Sequence, residues 1–261
     1  MSTHRRNHAT PRLARRLAPK LIAGVLATGL LLTGCGDDKD TASDSTTKDS
    51  TAAATAPEKI TIGYQLIPNG DLVVKHEGWL EKAFPDTEIE WKLFDSGGSV
   101  NEAIVGGSID FGLAGSSPVS RGLSTPIDYQ VPWIHDVIGK AEALVVKGDG
   151  GIDSLEDLVG KKIATPFAST SHYSLLAALD DAGVDATKVE IIDAEPDDIY
   201  AAWSRGDIDG AYVWNPNLAK LVADGGKLLV DSEELSKKGK TTYDLAVVTN
   251  ELGAVRAGPV I

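Results

Sequence analysis

The sequence predicts an α/β fold of two lobes, each a mixed, mostly parallel sheet flanked by helices, and three observations lead there. From residue 58 onward, short runs rich in branched aliphatic side chains alternate with segments of helical apolar spacing. A strand, a small polar loop and a helix that end in Gly107-Ser108-Ile109-Asp110 return in the same order before Gly206-Asp207-Ile208-Asp209. Ile109 and Ile208 stand 99 residues apart, as do Val100 and Ile199, so spacing repeats along with order, as duplication of one α/β unit would leave it.

Element by element, Ile60 and Ile62 alternate with polar neighbours in a strand, and a helix is expected over residues 72–84. Ile89, Trp91 and Leu93 mark a second strand, which runs into the loop Asp95-Ser96-Gly97-Gly98-Ser99 and a helix from Val100. Residues 109–114 read as a short buried strand, and Glu142–Lys147 as the strand that closes the first lobe. Gly148-Asp149-Gly150-Gly151 is the expected hinge crossing. In the second lobe, strands are expected at residues 163–165 and 189–192, with helices from Leu175 and Ile199. Residues 242–248 read as a strand that passes back to lobe one. The expected divisions are therefore 58–147 for lobe one, 148–240 for lobe two, 241–249 for the return strand and an irregular tail at 250–261, where Gly253, Gly258 and Pro259 break any helical period.

Residues 1–57 carry location rather than fold. Arg5, Arg6, Arg12, Arg15, Arg16 and Lys20 precede an apolar stretch at 21–32 that is short for a bilayer span, so residues 1–34 read as a secretory signal. Cys35, the one cysteine, closes the run Leu32-Thr33-Gly34-Cys35, which resembles the lipobox of bacterial lipoproteins and makes Cys35 the expected lipidation site and membrane attachment. Residues 35–57 hold no aromatic or branched aliphatic side chain and read as a tether. The chain carries 25 basic and 38 acidic residues, and its net charge of -13 becomes more negative still once the basic leader is set aside. That balance argues against a nucleic-acid partner. Without a second cysteine no disulfide can hold the fold, which must rest on apolar burial.

The chemistry expected of the loops is binding. Gln65, Ser96, Gly97, Ser116, Ser117 and the stretch Ser169, Thr170, His172 fall at the carboxyl ends of strands, where open α/β sheets bind ligands. Hydroxyls and free N–H groups at helix starts suit an anion without a basic side chain, although any one of these serines also serves as a simple helix cap. Catalysis finds few parts: His76, His135 and His172 have no metal-ligand spacing, and no Gly-x-Ser-x-Gly elbow precedes His172. No enzyme activity, metal or cofactor is expected. Asp110 and Asp209 read as turn residues before buried strands.

Several blocks together resemble one family. Phe94-Asp95-Ser96-Gly97, Gly115-Ser116-Ser117-Pro118, the run Glu142–Lys147, Ser169-Thr170-Ser171-His172-Tyr173 with the helix after it, and the stretch from Ala201 to Tyr212-Val213-Trp214 are similar to substrate-binding proteins of taurine (aliphatic sulfonate) ABC transporters, over about residues 60–248. The resemblance implies a type II periplasmic-binding-protein fold that closes over a small zwitterion and delivers it to an ABC permease and its ATPase. It implies ammonium contacts at Glu142 and Asp244, a ring face from Trp214, and sulfonate donors among Gln65, Ser96, Gly97, Ser116, Ser117, Ser169, Thr170 and His172. Other alkanesulfonates, nitrate or a thiamine precursor are the alternative ligands; a hydrolase using His172 is a distant one. Members of that family continue past residue 248 into helices that cover the first lobe, which residues 252–261 do not resemble, so the resemblance implies a chain cut short.

Overall fold

Alternation of Ile60 and Ile62 with polar neighbours starts β1 (Lys59–Tyr64) in a computed structural model that describes residues 56–255. The signal, Cys35 and the tether up to residue 55 lie outside the described residues. The first lobe continues with α1 (Gly70–Glu77), α2 (Trp79–Ala83), β2 (Glu88–Leu93), α3 (Gly97–Val105), β3 (Phe111–Gly115), α4 (Ser116–Ser124), β4 (Tyr129–Gln130) and β5 (Ile134–Ile138). Its sheet is completed by β11 (Thr242–Thr249) in the order β2-β1-β3-β11-β4, with β5 also on β11. The second lobe holds β6 (Glu142–Lys147), β7 (Lys162–Thr165), α5 (Thr170–Asp181), β8 (Glu190–Asp193), α6 (Pro196–Arg205), β9 (Gly210–Trp214), α7 (Asn217–Ala223), β10 (Gly226–Asp231) and α8 (Ser232–Ser236). Its sheet order is β10-β6-β9-β7-β8.

Each sheet buries apolar side chains under helices. In lobe one Val100 and Ile104 of α3 pack with Ile109, Ala114 and Val247. In lobe two, Leu175 and Leu179 of α5 pack on Leu144, Ile163 and Tyr212 from one face of the sheet, while Ile199 and Trp203 of α6 pack on Val145, Ala164 and Val213 from the other. A strand with helices on both sides needs apolar residues at every position, and the fully buried run Ala143, Leu144, Val145, Val146 is such a strand.

The duplicated unit is visible. Helix α3 and strand β3 begin at Gly97 and Phe111; α6 and β9 begin at Pro196 and Gly210, each later by 99 residues. Asp110 Oδ2 accepts the Thr61 N–H at 2.8 Å, and Asp209 Oδ2 accepts the Lys162 N–H at the same distance. Both acids therefore tie the turn before one strand to the start of a neighbouring strand, the turn role expected of them.

Five expectations are corrected. Glu142–Lys147 does not close lobe one: β6 pairs antiparallel with β9 and β10 inside the second sheet. The chain crosses between lobes in the 139–141 link after β5 and again just before β11, and Gly148 lies within lobe two, donating its N–H to Gly225 O. A fully apolar run cannot say which sheet it joins, because its partners are far away in sequence. The sheets are mixed but not mostly parallel: β1 is parallel to β2 and β3, and β7 to β8 and β9, whereas every pairing of β6 and β11 is antiparallel. The single helix expected over 72–84 is two, broken at Gly78, whose φ of 61° ends α1 in the left-handed region. The tail begins as a helix, α9 (Asn250–Val255), where the Leu252 N–H reaches Thr249 Oγ1; residues 256–261 lie outside the described part. Among the described residues no helix is long and apolar enough to cross a membrane, and no group of three or more His, Cys, Asp or Glu could hold a metal ion.

Candidate functional site

Between the lobes lies a cavity of about 200 Å³. That is below the ~300–1,000 Å³ usual for drug-sized ligands, so it fits a smaller solute. Lobe one contributes Gln65, Gly97, Gly115, Asp136 and Asp244; lobe two contributes Glu142, Ser169, Thr170, Trp214 and Asn215. The lobes approach closely at a wall position that has no side chain. A Cβ on Gly115 would meet Thr170 Cγ2 of the other lobe at 2.7 Å; one on Gly97 would meet Pro118 Cγ at 2.6 Å, so the second glycine lets α3 and α4 pack within lobe one.

One part of the wall is acidic. The Glu142 carboxylate is fully buried and accepts four hydroxyl hydrogen bonds: Thr170 at 2.5 Å and Ser171 at 2.9 Å on Oε2, Ser232 at 2.7 Å and Ser174 at 3.1 Å on Oε1. Four donors match the four lone-pair sites of a carboxylate, so Glu142 is the centre of a hydroxyl cage that ties the start of α5 to β6 and α8. Burial pushes its carboxyl up against the pull of those hydroxyls. Asp244 differs. It has no hydrogen-bond partner among the described residues, and its pKa is pushed up to about 8 by burial and then by the charges of Asp136, Glu142 and Asp71. Asp136, its neighbour in register across β5 and β11, is also pushed up by burial, with His135 acting against that.

Other wall positions supply donors. The starts of α3, α4 and α5 all reach the cavity, through Gly97, Gly115, Ser169 and Thr170. Helix starts carry unpaired N–H groups and the positive end of the helix dipole, which favours an anion. No lysine, arginine or histidine lines this cavity among the described residues. It can therefore hold a small molecule with an anionic head, bound by neutral donors, and a cationic group among acids.

The predicted site residues divide. Gln65, Gly97, Glu142, Ser169, Thr170, Trp214 and Asp244 share the cavity. Ser116, Ser117 and His172 line a neighbouring, more open one that meets it at Ser169. Ser96 is in neither: it caps α3, and its hydroxyl donates across the lobes to Glu195 Oε1 at 3.1 Å. His172 secures its own loop. Its Nδ1 accepts the Ala168 N–H at 3.1 Å and its ring stacks on Phe167 with centroids 4.4 Å apart, while burial lowers its pKa and keeps it neutral. Ala168 sits at φ 59°, a strained position for a residue with a Cβ, and this hydrogen bond helps to hold it.

Asp136, Asp71 and Ser232, the α8 partner of Glu142, escaped the sequence reading. Asp136 lies in Ile134–Ile138, a strand whose outward apolar residues hid its alternation; Asp71 opens α1, where an acid usually serves the helix dipole.

The raised Asp244 has a consequence for the empty protein. An acid whose folded pKa lies above its unfolded value stabilises the fold at low pH and loses that contribution as pH rises through the folded value. The ligand-free protein is thus expected to unfold at a lower temperature at pH 8.5 than at pH 5, and Asp244→Asn to flatten that slope. Thermal unfolding of both proteins across this range is the check; parallel slopes would contradict the assignment.

Comparison with known proteins agrees with this architecture. The chain is 42% identical over 192 residues to the taurine-binding periplasmic protein of Escherichia coli strain K12, covering 74% of this chain and 59% of that relative's length. The structure resembles the alkanesulfonate-binding protein SsuA from Xanthomonas axonopodis pv. citri bound to MOPS, with a TM-score of 0.70, 28% identity and coverage of 77% of this chain and 68% of that one. It also resembles the periplasmic aliphatic sulphonate binding protein SsuA of Escherichia coli, with a TM-score of 0.62, 29% identity and coverage of 76% and 64%. The family described as NMT1/THI5 like matches residues 70–254, from the start of α1 to the end of α9, and the chain belongs to that family.

Proposed function

We propose that this protein is an extracytoplasmic solute-binding component of an ABC importer and that its ligand is taurine or a close aminoalkanesulfonate. The observation that carries the reading is the cavity itself, with acids and helix starts on a common wall and no basic side chain among the described lining residues. A sulfonate stays anionic at physiological pH and is met by the N–H groups at the helix starts; the ammonium two carbons away is met by carboxylates. An anion without an amine would find those carboxylates repulsive, which favours taurine over nitrate or a simple alkanesulfonate. The name of the taurine-binding relative supports the amine, and that of the alkanesulfonate-binding neighbour supports the sulfonate alone.

Binding, not turnover, is the activity inferred. His172, the one candidate base, accepts a backbone N–H on Nδ1 and lines the neighbouring cavity. Delivery to a membrane permease driven by an ATPase, and attachment to the membrane through a lipid on Cys35, belong to the same reading. The second rests on the Leu32-Thr33-Gly34-Cys35 run alone. The direct test is calorimetric titration of the purified protein with taurine, ethanesulfonate and nitrate. Taurine is expected to bind at least tenfold more tightly than either of the others. Tighter binding of ethanesulfonate would move the assignment to amine-free sulfonates, and no binding of any of them would overturn it.

A further inference from the structure

Family resemblance assigns the ligand's ammonium to Glu142 and Asp244, and the geometry does not support that division. Both oxygens of Glu142 are occupied by hydroxyl donors, two on each, and the residue is fully enclosed. Asp244 has no such partners. Directly across the β5–β11 ladder from it stands Asp136, on the same cavity wall.

We propose that Asp136 is the second carboxylate that grips the ligand's ammonium, so that Asp136 and Asp244 act as a cross-strand pair while Glu142 positions the start of α5 from behind. The proposal rests on the aminosulfonate reading above and specifies how it works. Like charges opposite each other in an antiparallel pair repel, and a cation placed between them removes that cost. A single ammonium has several N–H donors to share between two acids. Selection of an amine-bearing ligand then comes from strands of lobe one, and the hydroxyl cage of lobe two holds the helix start that faces the anion.

The pair makes binding a proton exchange. The charged groups that face Asp244 are Asp136 of β5, Glu142 of β6 and Asp71 of α1, with His135 Nε2 lying 3.6 Å from Asp71 Oδ2. In the empty cavity burial, and then this crowding, favours the protonated form of Asp244 at neutral pH. An arriving ammonium favours the carboxylate, and the displaced proton passes to solvent. The complex therefore holds fewer protons than its separated parts, and affinity rises as pH rises towards 8.

The test is calorimetric titration of the unaltered protein, Asp136→Asn and Asp136→Glu with taurine and with ethanesulfonate, at pH 7 in two buffers of different protonation enthalpy. In Asp136→Asn, taurine affinity is expected to fall at least tenfold. Ethanesulfonate affinity should hold or improve, and fewer protons should be released per taurine bound, because Asp244 has lost a repelling neighbour. Asp136→Glu keeps the charge and should retain more taurine affinity than the amide. Taurine affinity within threefold of the unaltered protein in Asp136→Asn would overturn the proposal. So would equal loss in the Asn and Glu variants, which marks a packing role. Failure of the unaltered protein to bind either sulfonate is a different result: it removes the functional reading, and this inference with it.

Discussion

Asp244→Ala is expected to weaken taurine binding by about a hundredfold to several thousandfold. Taking away one partner of a buried ion pair typically costs about 3–5 kcal/mol, because the remaining charge is left in a poor environment. At about 1.4 kcal/mol per decade that spans roughly two to three and a half decades of affinity. Asp244 is the predicted acid that lines the cavity without a hydrogen-bond partner for its carboxyl among the described residues. Calorimetry on the substituted protein gives the answer, and a loss under threefold would reject its role. The fold should survive the change, since removing a crowded acid relieves repulsion in the empty state.

Glu142→Ala has the opposite profile: its first effect is on folding. Four hydroxyls, from Thr170, Ser171, Ser174 and Ser232, lose their shared acceptor inside a closed core. An orphaned buried polar group costs about 1–3 kcal/mol, and Ser174 and Ser232 can partly turn to each other across 3.3 Å, so a net loss of about 3 kcal/mol is expected. Urea unfolding monitored by tryptophan fluorescence is suitable, since Trp203 is fully buried in the same lobe. A loss below about 1 kcal/mol would mean that the cage rearranges freely. Glu142→Gln keeps an acceptor oxygen and should lie between the two.

Much of this arrangement was legible before any coordinates. Strand and helix existence followed from apolar spacing, and the 99-residue echo between Ile109 and Ile208 gave the two-unit plan, now seen in α3 with β3 and α6 with β9. What sequence could not give was partnership at a distance. The buried run Ala143, Leu144, Val145, Val146 fits the middle of either sheet, and its pairing with β9 is decided by contacts about seventy residues away. The same limit applied to the site. Glu142 was found, but its four hydroxyl partners come from α5 and the start of α8, so its enclosure was invisible. Asp136 was missed because its strand exposes Ile134 and Val137 along with Asp136 itself, so no alternation singles the acid out. Ser96 was read as a ligand donor because helix caps and anion donors use the same residue in the same place.

A cavity wall that offers carboxylates and dipoles but, among the described residues, no guanidinium or ammonium also bears on what is turned away. Inorganic sulfate presents nearly the same tetrahedral oxygen face as a sulfonate, yet carries a second negative charge and nothing to satisfy the aspartates. Its extra charge would face the aspartates where taurine presents an ammonium, with a loss of hydration that those acids do not repay. On the proposed reading, discrimination between an organic sulfur source and a mineral one would need no steric gate: the acids that receive an amine would also turn a dianion away.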